Sequence, residues 1–512
     1  MGKLFIRNIM ILFVFVLMMP HGVFAHASLE KANPAPDSQL DKAPKEILLQ
    51  FNERLEKELY SIKVFDEKGD LISDDKTKIS KDQKSLSLDL PTLSDGLYTV
   101  SYKVISADGH PVDGSYVVSI GEENVLNTNA FDIHTEEDKT GFYNTIYSLV
   151  RILYYVSLLL TTGWVLWRTL NKVEGNGTFR KWAKVLQTAL LIATIVMGAM
   201  QFTELMEGWS VKGLFSILTG TSVGISWLVS MVLSILGFVL LLRFRWLDSL
   251  WVLLLLSAKS INGHAMGFDP QIFTILLDIV HLLAAAIWAG GLLYILVNWK
   301  NQREHIREFL PRFSQFALLS LLVLIVTGTA STLLFLPKVS YVLHTKWGIL
   351  LLVKIAMVLM VVVIGGIIRY QMKKKTDAIG TWLKVDFGMM VLILVIVGIM
   401  THLNPLPQNK PLEWHEQKDN IEFTFSITPN APGTNHFMIF AKSYEEGVKI
   451  KRVNLYLTSI DNPELAPIEV PFTGGSMLDG NYLPFPGKWS AELRILDTED
   501  NEVVFYKDFM IY

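Results

Sequence analysis

At 512 residues the chain is too long for a single domain. Its 51% hydrophobic content and mean hydropathy of +0.35 exclude an ordinary soluble protein and make a lipid bilayer an expected partner. A net charge of −3 argues against nucleic acid as a partner, and the absence of cysteine removes disulfides and thiolate metal sites.

Residues 1–25 carry Lys3 and Arg7, an apolar run over 9–19, and Val23-Phe24-Ala25 at the end. That is the layout of a secretory signal peptide, too short for a membrane span. Cleavage after Ala25 makes His26 the first residue of the mature chain. A free α-amine and the Nδ1 of the same imidazole then form a chelate that an internal histidine cannot form.

The next stretch, 26–122, reads as a β-sandwich. The run 97–104 alternates as a half-buried strand does, and a polar turn over 106–114 follows it. The turn offers the carboxylate of Asp108 and the imidazole of His110, both ligands for a divalent transition metal. Taken alone, such a turn reads first as a solvated Asx-type loop. A histidine at the mature N-terminus of the same domain strengthens the metal reading.

His26-Ala27-Ser28-Leu29, Asn33-Pro34-Ala35-Pro36, Leu49-Gln50-Phe51-Asn52-Glu53, Gly96-Leu97-Tyr98-Thr99-Val100 and Ser106-Ala107-Asp108-Gly109-His110-Pro111-Val112-Asp113-Gly114 resemble, in order, the CopC family of copper-resistance proteins. The resemblance covers about the whole of 26–120. It implies a Cu(II) site in an extracellular β-sandwich, with His26, Asp108 and His110 as ligands. The donor types agree. An amine, two imidazoles and a carboxylate can lie in a plane, which suits Cu(II) better than the tetrahedral preference of zinc. Some family members also hold a Met-rich Cu(I) site, but no Met occurs here between His26 and Phe142. The resemblance therefore supports Cu(II) alone. An N-terminal His with a second His is also the brace of copper monooxygenases. Asp108 would occupy a position such an enzyme keeps open for oxygen, so binding is expected here and not catalysis.

Residues 123–143, with many Asn, Asp, Glu and Thr, read as a linker. In 144–404 eight apolar segments of spanning length follow, at about 145–168, 183–204, 223–242, 246–263, 271–297, 313–336, 346–368 and 382–402. An exported N-terminus starts the first segment outside. Sixteen Lys and Arg, from Arg168 to Lys384, then fall in or beside the cytoplasmic connections, against Lys212, Lys338 and Lys346 outside. This positive-inside bias also places the C-terminus outside. The fourth segment is marginal in length and carries Lys259 in its interior.

Polar groups in spans are costly, so each needs an account. His264 and Met266, and Met400 and His402, lie at external ends; His344 lies just before the seventh span. Met197, Met200 and Met206 follow the outer half of the second span, beside Glu204 and Glu207. Asp278 and His281 lie about 10 to 15 Å inside the fifth, at 1.5 Å per residue, and Lys354 is similarly deep in the seventh. Metal donors thus cluster outside and thin out inward. This gives a candidate copper path of His264, Met266, Asp278, His281, Met400 and His402. His264, His344 and His402 read equally as interfacial histidines, and Lys354 as a packing partner of Asp278. Ala285/Ala289 and Ala286/Gly290 have the spacing of close helix packing.

Asn262-Gly263-His264-Ala265, His281-Leu282-Leu283-Ala284-Ala285-Ala286-Ile287-Trp288-Ala289-Gly290-Gly291, Thr345-Lys346-Trp347-Gly348 with Lys354, and His402-Leu403-Asn404-Pro405 resemble the CopD family of membrane copper proteins, over most of 145–405. That family often has Glu near the start of the last helix, where Asp386 keeps the charge. CopC joined to CopD in one chain resembles copper-acquisition proteins, which implies import, with an external copper chaperone as a candidate donor. The remainder, 405–512, alternates over 421–427, 451–457 and 489–496 with Pro/Gly turns between, as a small extracellular immunoglobulin-like β-domain would. There His436 and Met438 share a strand face, which reads as cross-strand packing before a Cu(I) site. The expected protein is a multi-domain protein of the cell membrane: signal peptide, β-sandwich, linker, eight-helix transmembrane bundle and second β-domain. It would capture Cu(II) outside the cell and deliver copper across or into the plasma membrane. Copper sequestration for resistance, or a surface copper oxidoreductase, are the rival functions.

Overall fold

A computed structural model describes residues 27, 29–36, 38–73, 76–107, 109, 111–121, 141–171, 177–206, 210–268, 270–336, 338–374, 379–401, 403, 405–407, 409–445, 448–472 and 477–512. Among the described residues the first domain has nine strands: β1 (Leu29–Asn33), β2 (Ser38–Leu40), β3 (Glu46–Phe51), β4 (Ser61–Phe65), β5 (Leu71–Ser73), β6 (Lys78–Ile79), β7 (Ser85–Asp89), β8 (Gly96–Ile105) and β9 (Pro111–Ile120). They form two sheets, ordered β1-β3-β7-β6 and β2-β9-β8-β4-β5. Strand alternation builds the core. Ile47, Leu49 and Phe51 point inward from β3 and meet Ile62, Val64, Val100 and Val118 of the other sheet. The expected 106–114 turn is shorter than its polar sequence suggests, because β9 starts at Pro111 and pairs with β8 along ten residue pairs, from Gly96↔Ile120 to Ile105↔Pro111.

Between 141 and 400 lie the helices α1 (Gly141–Leu170), α2 (Gly177–Leu205), α3 (Val211–Gly220), α4 (Ser222–Leu240), α5 (Arg245–Ser260), α6 (Gln271–Asn298), α7 (Arg303–Phe335), α8 (Lys346–Lys374) and α9 (Ile379–Met400). Among the described residues, seven are long and apolar enough to cross a membrane: α1, α2, α4, α6, α7, α8 and α9. The expected fourth span, 246–263, is the 16-residue α5. At 1.5 Å per residue this is about 24 Å, short of a hydrocarbon core of about 30 Å. Asp248, fully buried, pins its first turn by accepting from Leu242 N–H at 2.9 Å and pairing with Arg168 of α1 at 2.5 Å. The short helix α3 lies between the expected second and third spans and belongs to neither. Ser210 and Thr221 bracket it, each side chain capping the helix that follows. α1 begins at Gly141, at the edge of the membrane block.

α1 and α9 are the central helices, each 72% buried over its apolar window, whereas α7 is 11% buried. The small residues near 286–290 do serve packing. A Cβ on Gly163 of α1 would lie 1.9 Å from Ala286 O, and one on Gly290 would lie 2.2 Å from Gly163 C. Trp167 Nε1–H donates to Ile287 O across the same crossing at 2.8 Å.

The last domain contains β10 (Leu412–Lys418), β11 (Ile421–Thr428), β12 (Gly433–Ser443), β13 (Ile450–Ser459), β14 (Ile468–Val470), β15 (Met477–Leu483), β16 (Gly487–Asp497) and β17 (Glu502–Ile511). Two four-stranded sheets, β10-β11-β12-β15 and β14-β13-β16-β17, close over Phe423, Phe425, Phe437 and Trp489. Both β-domains meet the same end of the helical block. The first touches the start of α4, and Tyr512 of the last packs on Tyr341 and His344 before α8.

Candidate metal centre and path

His26, Asp108, His110 and His402 lie outside the described residues, as does the side chain of His264. Their chain neighbours are well placed. Ala27 is buried in the first domain's core. Gly109, between Asp108 and His110 in the chain, has φ of +90° and donates to Ser106 O at 2.8 Å. Backbone bonds from Ala107 to Arg54 and from Glu56 to Ile105 tie this turn to the 54–56 segment. A Cβ on Gly109 would meet Val223 Cγ2 at 2.3 Å, with Asn262 Oδ1 at 3.7 Å. Glycine is therefore required twice, by its left-handed backbone and by close approach to the helical block.

The rest of the contact follows from the same two segments. Ile105 joins Phe202, Leu205, Ile217 and Val223 in one buried apolar cluster. Glu56 accepts from the Ser222 backbone N–H at 3.0 Å and from the Ser222 hydroxyl, so a carboxylate sits at the N-terminus of α4. Arg54 donates to Gln271 Oε1 at 3.3 Å, and Gln271 in turn donates to Met266 Sδ at 2.8 Å. Burial pushes the Glu56 carboxyl above its ordinary range, with the Ser222 bonds pulling back. For an acid raised in the docked state, that contribution is full below the free carboxyl pKa and is lost as pH rises through the docked value. Docking should therefore tighten on acidification. The check is a disulfide cross-link between Arg54→Cys and Gln271→Cys, in a chain with no other cysteine. Its yield, taken relative to the same pair in a Glu56→Gln background that cannot titrate, should rise as pH falls from 7 to about 4.5. A ratio that stays flat or falls would remove Glu56 as the cause.

Beneath this contact lies a cavity of about 190 Å³ among α1, α5, α6, α7, α8 and α9, lined by Asn262, Asp278, His281, Lys354 and Met400 among others. The expected path residues Asp278, His281 and Met400 are thus brought together. Met266 is not; its thioether is taken by Gln271. Thr327 donates its hydroxyl to Val323 O at 2.7 Å, so its oxygen accepts from His281 Nδ1–H at 2.8 Å. In a neutral imidazole this network puts the proton on Nδ1 and leaves the Nε2 lone pair, the form a metal ligand takes. Gly328 lets the ring lie against α7, since a Cβ there would be 3.6 Å from His281 Cε1. Lys354 acts electrostatically on both Asp278 and His281. Arg151 and Lys259 also line the cavity, held to Thr401 O at 3.0 Å and to Asn262 O. Arg151, Lys259 and Lys354 thus share the lining with Asp278.

Asn262 also lines a smaller cavity of about 30 Å³ among α1, α2, α4 and α5, with Met197 and Gln201. Gln201 Nε2–H donates to Asn262 Oδ1 at 3.4 Å. A third cavity, about 250 Å³, lies toward the other end of the block and holds Asp386, Arg369 and Met372. Asp386 is 5% exposed and its Oδ1 has no hydrogen-bond partner. Arg151 and Asn262 line the cavity although neither reads as a path residue in the sequence, where Asp386 reads only as a retained charge. The signal for Arg151 was in the chain: a cation inside an apolar span. Among the described residues no group of three or more His, Asp or Glu is arranged to hold a metal.

Three family models match: CopC domain over 29–121, Copper resistance protein D-like, N-terminal domain over 142–269, and Copper resistance protein D over 307–400. The chain is 27% identical to the copper transport protein CutJ of Bacillus subtilis (strain 168), covering 96% of this chain and 97% of that one. It is 26% identical to the inner membrane protein YebZ of Escherichia coli (strain K12), covering 50% of this chain and 97% of that one. The crystal structure of CopC from Methylosinus trichosporium OB3b matches at 32% identity and a TM-score of 0.18, covering 20% of this chain and 99% of that one. This is a multi-pass membrane protein whose extracellular-facing β-domains flank a transmembrane helical core. The chain is a CopC/CopD-domain fusion protein related to bacterial copper transport and resistance proteins.

Proposed function

We propose that the protein captures Cu(II) outside the cell at His26, Asp108 and His110 and hands copper to the cavity lined by Asp278, His281 and Met400, for passage inward. The observation that carries this is the seat of Gly109, flanked in the chain by two of those ligands, against Val223 and Asn262. Asn262 lines both cavities beneath that seat. A site docked over the mouth of a path suits delivery, with an external chaperone as a donor to it. His264 and His402, at the outer ends, belong to the same path. The domain division is 1–25, 26–122, 123–143, 144–404 and 405–512, the last domain immunoglobulin-like.

The helical block makes eight crossings on this reading. α4 starts and α6 starts at the end that bears the first domain, so α5 has to return the chain between them. The protein is a binder and carrier, not an enzyme, because Asp108 would fill the position a brace oxidoreductase leaves open. The second reading is sequestration for resistance. The matched family descriptions name copper resistance, and they support it more directly than they support import.

Radioactive-copper uptake by cells with and without the gene separates the two. Import requires more cell-associated copper inside the membrane and growth in copper-starved medium; resistance requires less inside and survival in copper-loaded medium. A second expected result concerns His26. A mature chain that retains Ala25 should bind Cu(II) at least tenfold more weakly, about 1.4 kcal/mol, because the chelating amine has moved. An unchanged nitrogen-rich electron paramagnetic resonance spectrum at equal affinity would sink the N-terminal site.

A further inference from the structure

The first domain offers nitrogen and oxygen donors only, having no Met between His26 and Phe142. The last domain is different. It has three Met (Met438, Met477 and Met510) and two His (His415 and His436). Two of those Met are direct partners across strands. In the β12–β15 pairing Met438 stands opposite Met477, and His436 is two residues from Met438 on β12.

Strand alternation puts the three on one face. Phe437, Ile439 and Leu478, which alternate with them, belong to the domain's hydrophobic core, and neither Met438 nor Met477 does. His436, Met438 and Met477 therefore share the outer face of the β10-β11-β12-β15 sheet. Both Met are half-buried and His436 is 7% exposed. Cross-strand Cβ atoms lie about 5 Å apart and next-but-one residues about 7 Å, within reach of two thioethers on three-bond arms.

A methionine is usually flexible filler for a core. That role fails here, since these two sit outside the core and meet beside a histidine. Two thioethers and one imidazole are a soft, neutral donor set, which selects a soft monovalent ion. We infer that His436, Met438 and Met477 form a second metal site, specific for Cu(I), on the outer face of the C-terminal domain. It goes beyond the Cu(II) capture and transport proposed above. The chain then reads copper in two oxidation states on two separate β-domains, and no electron transfer between them is assigned.

The test uses the full chain in detergent, loaded with Cu(I) kept reduced by ascorbate, or with Ag(I) as a redox-inert probe. A chromophoric Cu(I) chelator competes. The double variant Met438→Leu/Met477→Leu, a volume-conserving change on an outer face, should melt at the wild-type temperature. It should retain one Cu(I) or Ag(I) equivalent fewer than wild type and lose sulfur scattering in X-ray absorption. Met510→Leu should retain the full number. The Cu(II) resonance of the first domain should be the same in all three proteins. Equal Cu(I) retention by the double variant and wild type would overturn the site, and so would an equal loss from Met510→Leu. Loss of Cu(II) binding alone, in an Ala25-retaining chain, would bear on the first domain and leave this site standing.

Discussion

His281→Ala is expected to abolish copper movement while leaving membrane insertion and Cu(II) binding by the first domain intact. The reason is the fixed geometry of the ring. Its Nδ1–H is spent on Thr327, whose own hydroxyl proton is spent on Val323 O, so only Nε2 can accept a metal. His281→Asn keeps a polar side chain without that lone pair and should fail as well. Thr327→Val keeps the shape and removes the acceptor. The ring would then be free to flip or change tautomer, and affinity should fall by about 10- to 100-fold without being lost. The graded order, with Thr327→Val retaining more copper movement than either substitution of His281, is what a merely structural histidine would not give. Uptake of radioactive copper at the wild-type rate by a correctly inserted His281→Ala protein would make His281 a packing residue and leave the path to be sought elsewhere.

The sequence disclosed the parts that obey local rules. Strand alternation over 97–104 became β8, and the apolar segments became helices within a few residues at most ends. Where it fell short, the cause was tertiary. α5 reads as a span by composition, but its length is set by Asp248 at one end and by Lys259 turning back to Asn262 O at the other. α3 is apolar yet only ten residues long, because Ser210 and Thr221 cap it tightly. Single residues could name the path candidates Asp278, His281 and Met400, since a polar group in a span always asks for a reason. They could not name Asn262, which is ordinary in a loop and matters only because Gly109 arrives beside it from 153 residues away (262 − 109). The same holds for Met477. Nothing in its own segment marks it until strand register sets it opposite Met438. Periodicity reports which face a residue takes, not which residue it will meet.

The seat of the first domain supplies the other large effect. Val223 is fully buried under the 105–109 turn, in the cluster with Ile105, Phe202, Leu205 and Ile217. Val223→Phe adds bulk where Gly109 has no Cβ to withdraw. Overpacking of this kind costs about 1 to 3 kcal/mol, which weakens docking by roughly 5- to 150-fold. The change is made on the membrane side, so the turn that carries Asp108 and His110 is untouched and Cu(II) affinity should stay at wild type. Gly109→Ala makes the same collision from the other side and adds about 1 to 2 kcal/mol for a left-handed backbone. If docking feeds the path, Val223→Phe should slow uptake most when copper is scarce, and the deficit should close as free copper is raised high enough to reach Asn262 unaided. Val223→Ala combined with Gly109→Ala removes the colliding methyl and should recover part of the rate. Uptake at limiting copper that is equal in wild type and Val223→Phe, with the cross-link between positions 54 and 271 lost, would show that the first domain delivers nothing to the cavity beneath it.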